Sequence, residues 1–454
     1  MAEDQQNPKL LQTQQAVEAV SQASAKEQVA VAQASEQAAP VGDKLKLLQN
    51  AIVQANIPQL VLNTISYALD LRSSDIHIEP SETRVRIRYR VDGVLRQIVD
   101  YPVNMHPAVV SRVKIMSNLK IDEQRVPQDG RSEVVTKDGR RMDLRISTLP
   151  TVSGEKIVMR IQDKSRKISD LPELGISGTA LKAVEDALKL PNGIILTTGP
   201  TGSGKTTTLY SALNRLNKVG VNILTIEDPV EIVVDGLNQS QTHSEIKYNF
   251  ATGMRAALRQ DPDIIMVGEV RDRETGDTAI EASLTGHLVF STLHTNSAVE
   301  TLTRLLNMGI PGYLLNSTVE LIIAQRLVRK LCYKCRVEAP APDDLKGQID
   351  KALGALNEGE IGPALLQAKK FYAAKGCSEC EDTGYKGRVG LYEVMRMNDG
   401  IRELIFKDAS MMEIEKAAVD NGMLTLEQAG LVKALTGETS LDEVYRVARK
   451  VENY

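Results

Sequence analysis

The chain contains no tryptophan and only 4 phenylalanines among its 454 residues. Aromatic faces on which exposed bases could stack are therefore scarce, and no nucleic-acid partner is expected. An excess of charge of either sign is also missing. The 55 basic residues against 59 acidic ones leave a net charge of −4, so nothing points to a polyanion as the main partner. No run of about 18 apolar residues occurs, the length that a membrane-spanning helix needs. The opening stretch is polar and Gln/Ala-rich where a secretory signal would be apolar, so neither a membrane span nor a signal peptide is expected. Cysteine is confined to 4 residues in two C-x-x-C pairs, a usage that fits metal binding in a reducing compartment.

What is present reads as roughly three domains, each long enough to bury a core. Residues 1–43 form a low-complexity tail with too little apolar surface to offset the entropy of ordering it. From residue 44 to 162 an α+β domain is expected. Leu45, Leu48, Ile52, Ile57, Leu60, Val61 and Ile65 recur at helical spacing up to about Leu71. Residues 84–91 alternate strictly, with Asp92-Gly93 as a hairpin turn. A second hairpin is expected around Lys137–Gly139, and a further strand at 156–161. Residues 163–172, charged and turn-rich, read as a linker. Residues 173–330 alternate strands (193–198, 222–227, 263–268, 288–293) with helical stretches, the pattern of a parallel sheet. Residues 331–454 hold the cysteine pairs and several short helices.

The chemistry is densest after the strand 193–198. Gly199, Pro200, Thr201, Gly202, Ser203, Gly204, Lys205 and Thr206 spell G-x-x-x-x-G-K-T, with Thr207 opening a helix. A strand ending in such a loop aims backbone N–H groups and a helix N-terminus at one point, an anion site for a nucleotide's polyphosphate. Lys205 would reach the β/γ-phosphates and Thr206 would place its hydroxyl on Mg²⁺. The other strands end in Glu227-Asp228-Pro229-Val230-Glu231, in Glu269 and in His294, and ligands of parallel sheets lie beyond such carboxyl ends. Glu269 is the expected Mg²⁺ partner, through water. Of the second acidic cluster Glu231 is preferred as the group that polarises the attacking water. His294 could sense the terminal phosphate, whereas His287 reads equally well as a core or turn histidine. Cys332, Cys335, Cys377 and Cys380 suit a closed tetrahedral Zn²⁺ site, with an inserted helical excursion over 336–376; a redox C-x-x-C is the rival. Arg84, Arg86, Arg88 and Arg90 share one strand face, solvated or subunit-facing. Composition says nothing of Arg131, Arg145 and Arg160.

These segments resemble the secretion ATPases of type II secretion and type IV pilus assembly, from about Leu45 to the C-terminus. The match includes GPTGSGKTT (199–207), TIEDPVE (225–231), LRQDPDIIMVGEVRD (258–272), TGHLVFSTLHTN (285–296), LIIAQRLVRKLC (321–332) and TGYKGRVGLYEV (383–394). The resemblance implies a PAS-like α+β domain joined to a RecA-like P-loop ATPase domain, with a C-terminal zinc-binding and helical region. It implies a Mg²⁺-dependent ATPase working as a homohexamer on an inner-membrane platform protein and, through it, on pilin-like subunits, hence a cytoplasmic protein peripheral to the inner membrane. It also places the catalytic glutamate on Glu231, the Walker B glutamate on Glu269, and phosphate-contacting arginines on Arg131, Arg145 and Arg160. The tetracysteine element resembles the assembly and secretion branch rather than the retraction motors. Family members usually carry a further globular N-terminal region, where this chain has its low-complexity tail. A pilus-retraction motor is the alternative within the class, and a RecA-like nucleic-acid motor the alternative outside it.

Overall fold

The computed structural model describes residues 41–135, 141–163, 167–356, 360, 366 and 369–448. The turn expected around Lys137–Gly139, the tail over residues 1–40 and part of the expected linker lie outside them. The chain divides into two compact units, Met1–Arg166 and Lys167–Tyr454.

The first unit is an antiparallel sheet covered by helices. Its strands are β1 (Asp75–Pro80), β2 (Arg84–Val91), β3 (Val94–Pro102), β4 (Gln128–Val135), β5 (Arg141–Thr151) and β6 (Gly154–Asp163), in the order β3-β2-β1-β6-β5-β4. Alternation along β1, β2, β5 and β6 sends Ile76, Ile78, Ile87, Tyr89, Leu144, Ile146, Ile157 and Met159 to one face. There they meet Leu48, Leu60, Val61, Ile65, Val109 and Val113 from the helices Val41–Val53, Ile57–Asp70 and His106–Met116. The helical periodicity that runs to Leu71 in the sequence is two helices. Ala55 takes a left-handed conformation between them (φ 48°), and Asn56 starts the second by accepting a hydrogen bond from the Gln59 N–H at 3.1 Å. Inside the unit Lys114, fully buried, is neutralised by Glu155 at 2.7 Å and also donates to the Glu123 carbonyl at 2.7 Å.

The second unit is built on a seven-stranded sheet of order β15-β12-β7-β11-β10-β8-β9. Its strands are β7 (Gly193–Thr198), β8 (Ile223–Glu227), β9 (Asn238–Gln241), β10 (Ile264–Val267), β11 (Leu288–Leu293), β12 (Val319–Leu331) and β15 (Tyr385–Arg396). All pairs are parallel except that between β12 and β15. Every residue of β7, β10 and β11 is buried, as strands covered on both faces must be. The helices Gly178–Ala187 and Lys205–Leu216 pack on one face, and Phe250–Ala257, Arg273–Leu284 and Ala298–Asn307 on the other. A two-stranded ribbon, β13 (Val337–Ala339) with β14 (Phe371–Ala373), and the helix Lys346–Gly354 lie in the excursion between the cysteine pairs. The fold class expected from the sequence, a P-loop α/β domain preceded by an α+β unit, is the one observed. The structure adds that β15, from beyond the second cysteine pair, belongs to the main sheet.

The C-terminal helix Leu441–Ala448 is tied to β12 by one buried carboxylate. Glu443 accepts from the Arg329 backbone N–H at 2.9 Å and its guanidinium at 2.7 Å, and from Arg446 at 2.7 Å. Burial alone would raise the Glu443 pKa, but these donors outweigh it and hold it at about 2 instead of 4.5. The folded-state value is depressed, so this stabilisation is complete above the ordinary carboxylate range and fades as pH falls from 4.5 towards about 2. Glu443→Gln at neutral pH leaves Arg329 without its counter-charge and is expected to cost about 3 kcal/mol. Hydrogen exchange of the helix Leu441–Ala448 checks this: accelerated exchange in the variant is expected, and unchanged protection shows that the pair does not hold the helix.

Candidate active site

β7 ends at Thr198, and the chain turns through Gly199–Gly204 before the helix begins at Lys205, two residues ahead of the Thr207 start read from the sequence. Two glycines are obligatory here. Gly199 has φ +148°, and a Cβ on it would lie 2.5 Å from the Gln325 carbonyl oxygen. Gly204 has φ +90°, and its Cβ would lie 2.8 Å from the Gln325 side-chain amide. The loop therefore rests directly on β12. Lys205 is buried, and its ammonium donates to the Gly199 carbonyl at 2.8 Å and the Pro200 carbonyl at 3.3 Å. Burial lowers the Lys205 pKa, with Arg326 pushing the same way and Glu269 and Glu231 opposing. Thr206 and Thr207 stand half-buried in the first helical turn, and the buried Ser203 hydroxyl has no hydrogen-bond partner among the described residues. A glycine-rich cradle, a helix N-terminus and a buried cation fit the phosphates of ATP.

Three parallel strands end beside this loop. Glu269, two residues past β10, lies 3.3 Å from Nε2 of His294, the residue that follows β11. Its other oxygen is held by Arg271, whose guanidinium also lies 3.9 Å from Asp228. The acidic box after β8 divides by environment. Glu227 is buried and accepts from Tyr210 at 2.5 Å, Thr225 at 2.6 Å and Gln239 at 3.1 Å, with burial raising its pKa. It braces the box. Asp228 and Glu231 are exposed, and the Glu231 charge acts on Lys205. His287, at the other end of β11, bonds the Ala282 carbonyl at 2.8 Å and the Thr285 hydroxyl at 3.2 Å, a turn histidine remote from His294 along the strand. Sequence reasoning did not single out Arg271, Gln325 or Arg326. A polar pair inside the apolar run of β12 was the available signal for the last two.

In the α+β unit the three arginines on which composition is silent are cross-strand neighbours. Arg131 pairs in register with Arg145, and Arg145 with Arg160. With Asp129, Ser147 and Val158 they line one open cavity. Like charges directly opposite one another repel, so such a row gains from an anion. Asp75 stands next in the row, 3.3 Å from Arg160 and 3.4 Å from Arg90. The neighbouring arginines of β2 are engaged within the unit, Arg88 with Glu79 at 2.8 Å and Arg84 with Asp100 at 3.0 Å.

Cys332, Cys335, Cys377 and Cys380 place their sulfurs within 4.8 Å of one another. The separations of 3.9 Å (332–377), 3.7 Å (335–380) and 3.7 Å (377–380) match the edge of about 3.8 Å of a tetrahedron with Zn–S of ~2.3 Å. Burial opposes ionisation of Cys380, but N–H donors from Cys377 and Gly384, each 3.2 Å from the sulfur, bring its pKa down to about 7. The four residues could hold a zinc ion.

Residues 50–446 match the family model described as type II/IV secretion system protein. The chain is 46% identical over 397 residues to the type IV pilus assembly ATPase PilB of Myxococcus xanthus, covering 87% of this chain and 69% of that protein. It is likewise 46% identical over 406 residues to the type II secretion system protein E of Xanthomonas campestris pv. campestris, covering 89% and 70%. Among solved structures it is similar to the pilus retraction motor PilT with bound ADP (TM-score 0.54, 26% identity, covering 86% of this chain and 97% of that one). It also shares its fold with the Legionella pneumophila ATPase DotB (TM-score 0.60, 23% identity, covering 85% and 94%). No helix among the described residues is long and apolar enough to cross a membrane. With its phosphate loop, its acidic strand ends and this extended similarity, the chain belongs to the secretion and pilus-assembly ATPase family.

Proposed function

We propose that this chain is a Mg²⁺-dependent ATPase motor, active as a homohexamer at the cytoplasmic side of an inner-membrane platform protein, that powers type IV pilus assembly or type II secretion. One observation carries the reading: Glu269 and His294 lie 3.3 Å apart beyond the ends of two parallel strands, and the Glu269 charge acts on Lys205 of the loop. Assembly or secretion is favoured over retraction, because the relatives named for assembly and secretion are 46% identical whereas the retraction motor is 26% identical.

In this reading Gly199–Thr207 wraps the phosphates and Lys205 leaves the loop carbonyls to bind the β/γ-oxygens. The Thr206 hydroxyl and Glu269, through water, would hold Mg²⁺, which when bound would supply positive charge to the phosphates. Glu231 orients the attacking water and His294 follows the terminal phosphate through Glu269. Arg131, Arg145 and Arg160 supply further positive charge to the phosphates, and turnover is coupled to domain movement because an arginine fork loses its anionic partner when phosphate leaves. Cys332, Cys335, Cys377 and Cys380 hold a structural zinc.

Lys205→Ala is expected to abolish tight nucleotide binding, since Lys205 neutralises ground-state phosphate charge. Glu269→Gln should keep binding and halt hydrolysis, because that carboxylate acts in the transition state. Undiminished steady-state phosphate release by Glu269→Gln would contradict the assignment. Elemental analysis of the purified protein should find one zinc per chain, and Cys377→Ser should lose it and destabilise the surrounding element while leaving nucleotide affinity intact. Protein free of stoichiometric metal would remove the zinc from this account. Arg145→Ala and Arg160→Ala should each lower turnover by roughly 10²–10³ or more, by analogy with arginine fingers. Nucleotide affinity measured by titration should fall far less, and unaltered turnover in both variants would exclude the row from the reaction.

A further inference from the structure

β12 brings to the phosphate loop a cation that the motif reading leaves without a role. Gln325 and Arg326 are consecutive on the strand and so turn to opposite faces of the sheet. Gln325 faces the helix Lys205–Leu216, where its Oε1 accepts from the Thr208 hydroxyl at 2.8 Å. Arg326 faces the helix Ala298–Asn307 side. The parallel register of β12 with β7 reaches Ala324 opposite Thr198, so Arg326 stands level with the first residues of the loop. There Nη2 donates to Oδ1 of Asn296 at 2.8 Å, and the Asn296 N–H donates to Glu300 at 2.6 Å. Nη1 is buried and has no hydrogen-bond partner among the described residues. Burial lowers the Arg326 pKa, with Glu300 and Glu393 offsetting part of the effect, and the Arg326 charge in turn is felt by Lys205.

A buried guanidinium N–H with no acceptor among the described residues, level with the first residues of a phosphate loop, is poised for an anion. We propose that Arg326 is a phosphate-binding residue of the nucleotide site, with Nη1 donating to the terminal phosphate while Nη2 stays on Asn296. Asn296 lies two residues beyond His294, on the segment where the strand end carrying Glu269 converges. The anchored guanidinium is thereby fixed toward the end of the phosphate chain that distinguishes ATP from ADP. A planar fork suits this double duty, with one N–H for the anchor and one for the anion, whereas an ammonium has the charge but not the geometry. The inference rests on the reading of the Lys205 loop as the nucleotide site.

Calorimetric titration of the full chain with a non-hydrolysable ATP analogue and with ADP, both with Mg²⁺, tests it. Arg326→Gln is expected to weaken the analogue by roughly 10–100-fold, the worth of one charge-assisted hydrogen bond, with ADP affinity little changed. Arg326→Lys should restore part of the preference. Equal loss of both nucleotides, or loss of neither, in a variant with the wild-type melting profile would overturn the proposal. If Arg326→Gln does not fold, Arg326→Lys decides: a reduced preference for the analogue supports the role and an unchanged preference overturns it. Unimpaired binding of both nucleotides by Lys205→Ala would instead overturn the underlying reading of the site, whatever the Arg326 variants show.

Discussion

The second unit depends on one close approach, that of the phosphate loop to β12. Gly199 and Gly204 have no room for a side chain because Gln325 lies beneath them. The loop's shape is thus set by a strand that follows it by more than a hundred residues. The same strand binds the helix Lys205–Leu216 through Gln325 and Thr208, the end of β11 through Arg326 and Asn296, and the C-terminal helix through Arg329 and Glu443. Its last residue, Leu331, donates to the Glu438 carbonyl and precedes Cys332, the first sulfur of the cysteine cluster. β12 thus links the phosphate loop by hydrogen bonds to the C-terminal helix and to the start of the cysteine element.

Electrostatics separates residues of the same type into different duties. Glu227 and Glu269 both end parallel strands, yet Glu227 is buried among three donors and braces its loop, while Glu269 faces Arg271 and His294 at the mouth of the site. Cations are distributed with equal selectivity. Arg88, Arg84 and Arg160 each pair with a carboxylate, and Arg160 also stands in register with Arg145, as Arg145 does with Arg131, along one cavity. A surface that gathers guanidiniums despite their repulsion gains most when a multivalent anion arrives.

Local signals were legible in the sequence where local physics decides. The buried strands 193–198 and 288–293 and the alternating strand 84–91 stand at those residues, because burial and alternation leave a period that single-chain reading detects. The four cysteines meet as their pairing suggested, since few other fates are open to two C-x-x-C knuckles with no spare thiol. Non-local relations were not legible. The register Arg131–Arg145–Arg160 depends on which strands pair, and no spacing in the chain encodes it. β15 joins β12 across the whole cysteine excursion, so the region after residue 331 read as cysteine pairs and short helices, without a strand of the main sheet. Arg326 and Arg271 sit within apolar or charged runs where an arginine has many ordinary roles, and only their partners in space single them out.

The central claim is that distant strand ends converge on one bound nucleotide. Hydrogen exchange of the full chain with and without a Mg²⁺-bound, non-hydrolysable ATP analogue tests it most directly. The account requires slowed exchange together in three segments: the loop 199–207, residues 268–271 after β10 and residues 294–296 after β11. Slowing confined to the loop, with the other two segments unaffected, would contradict it.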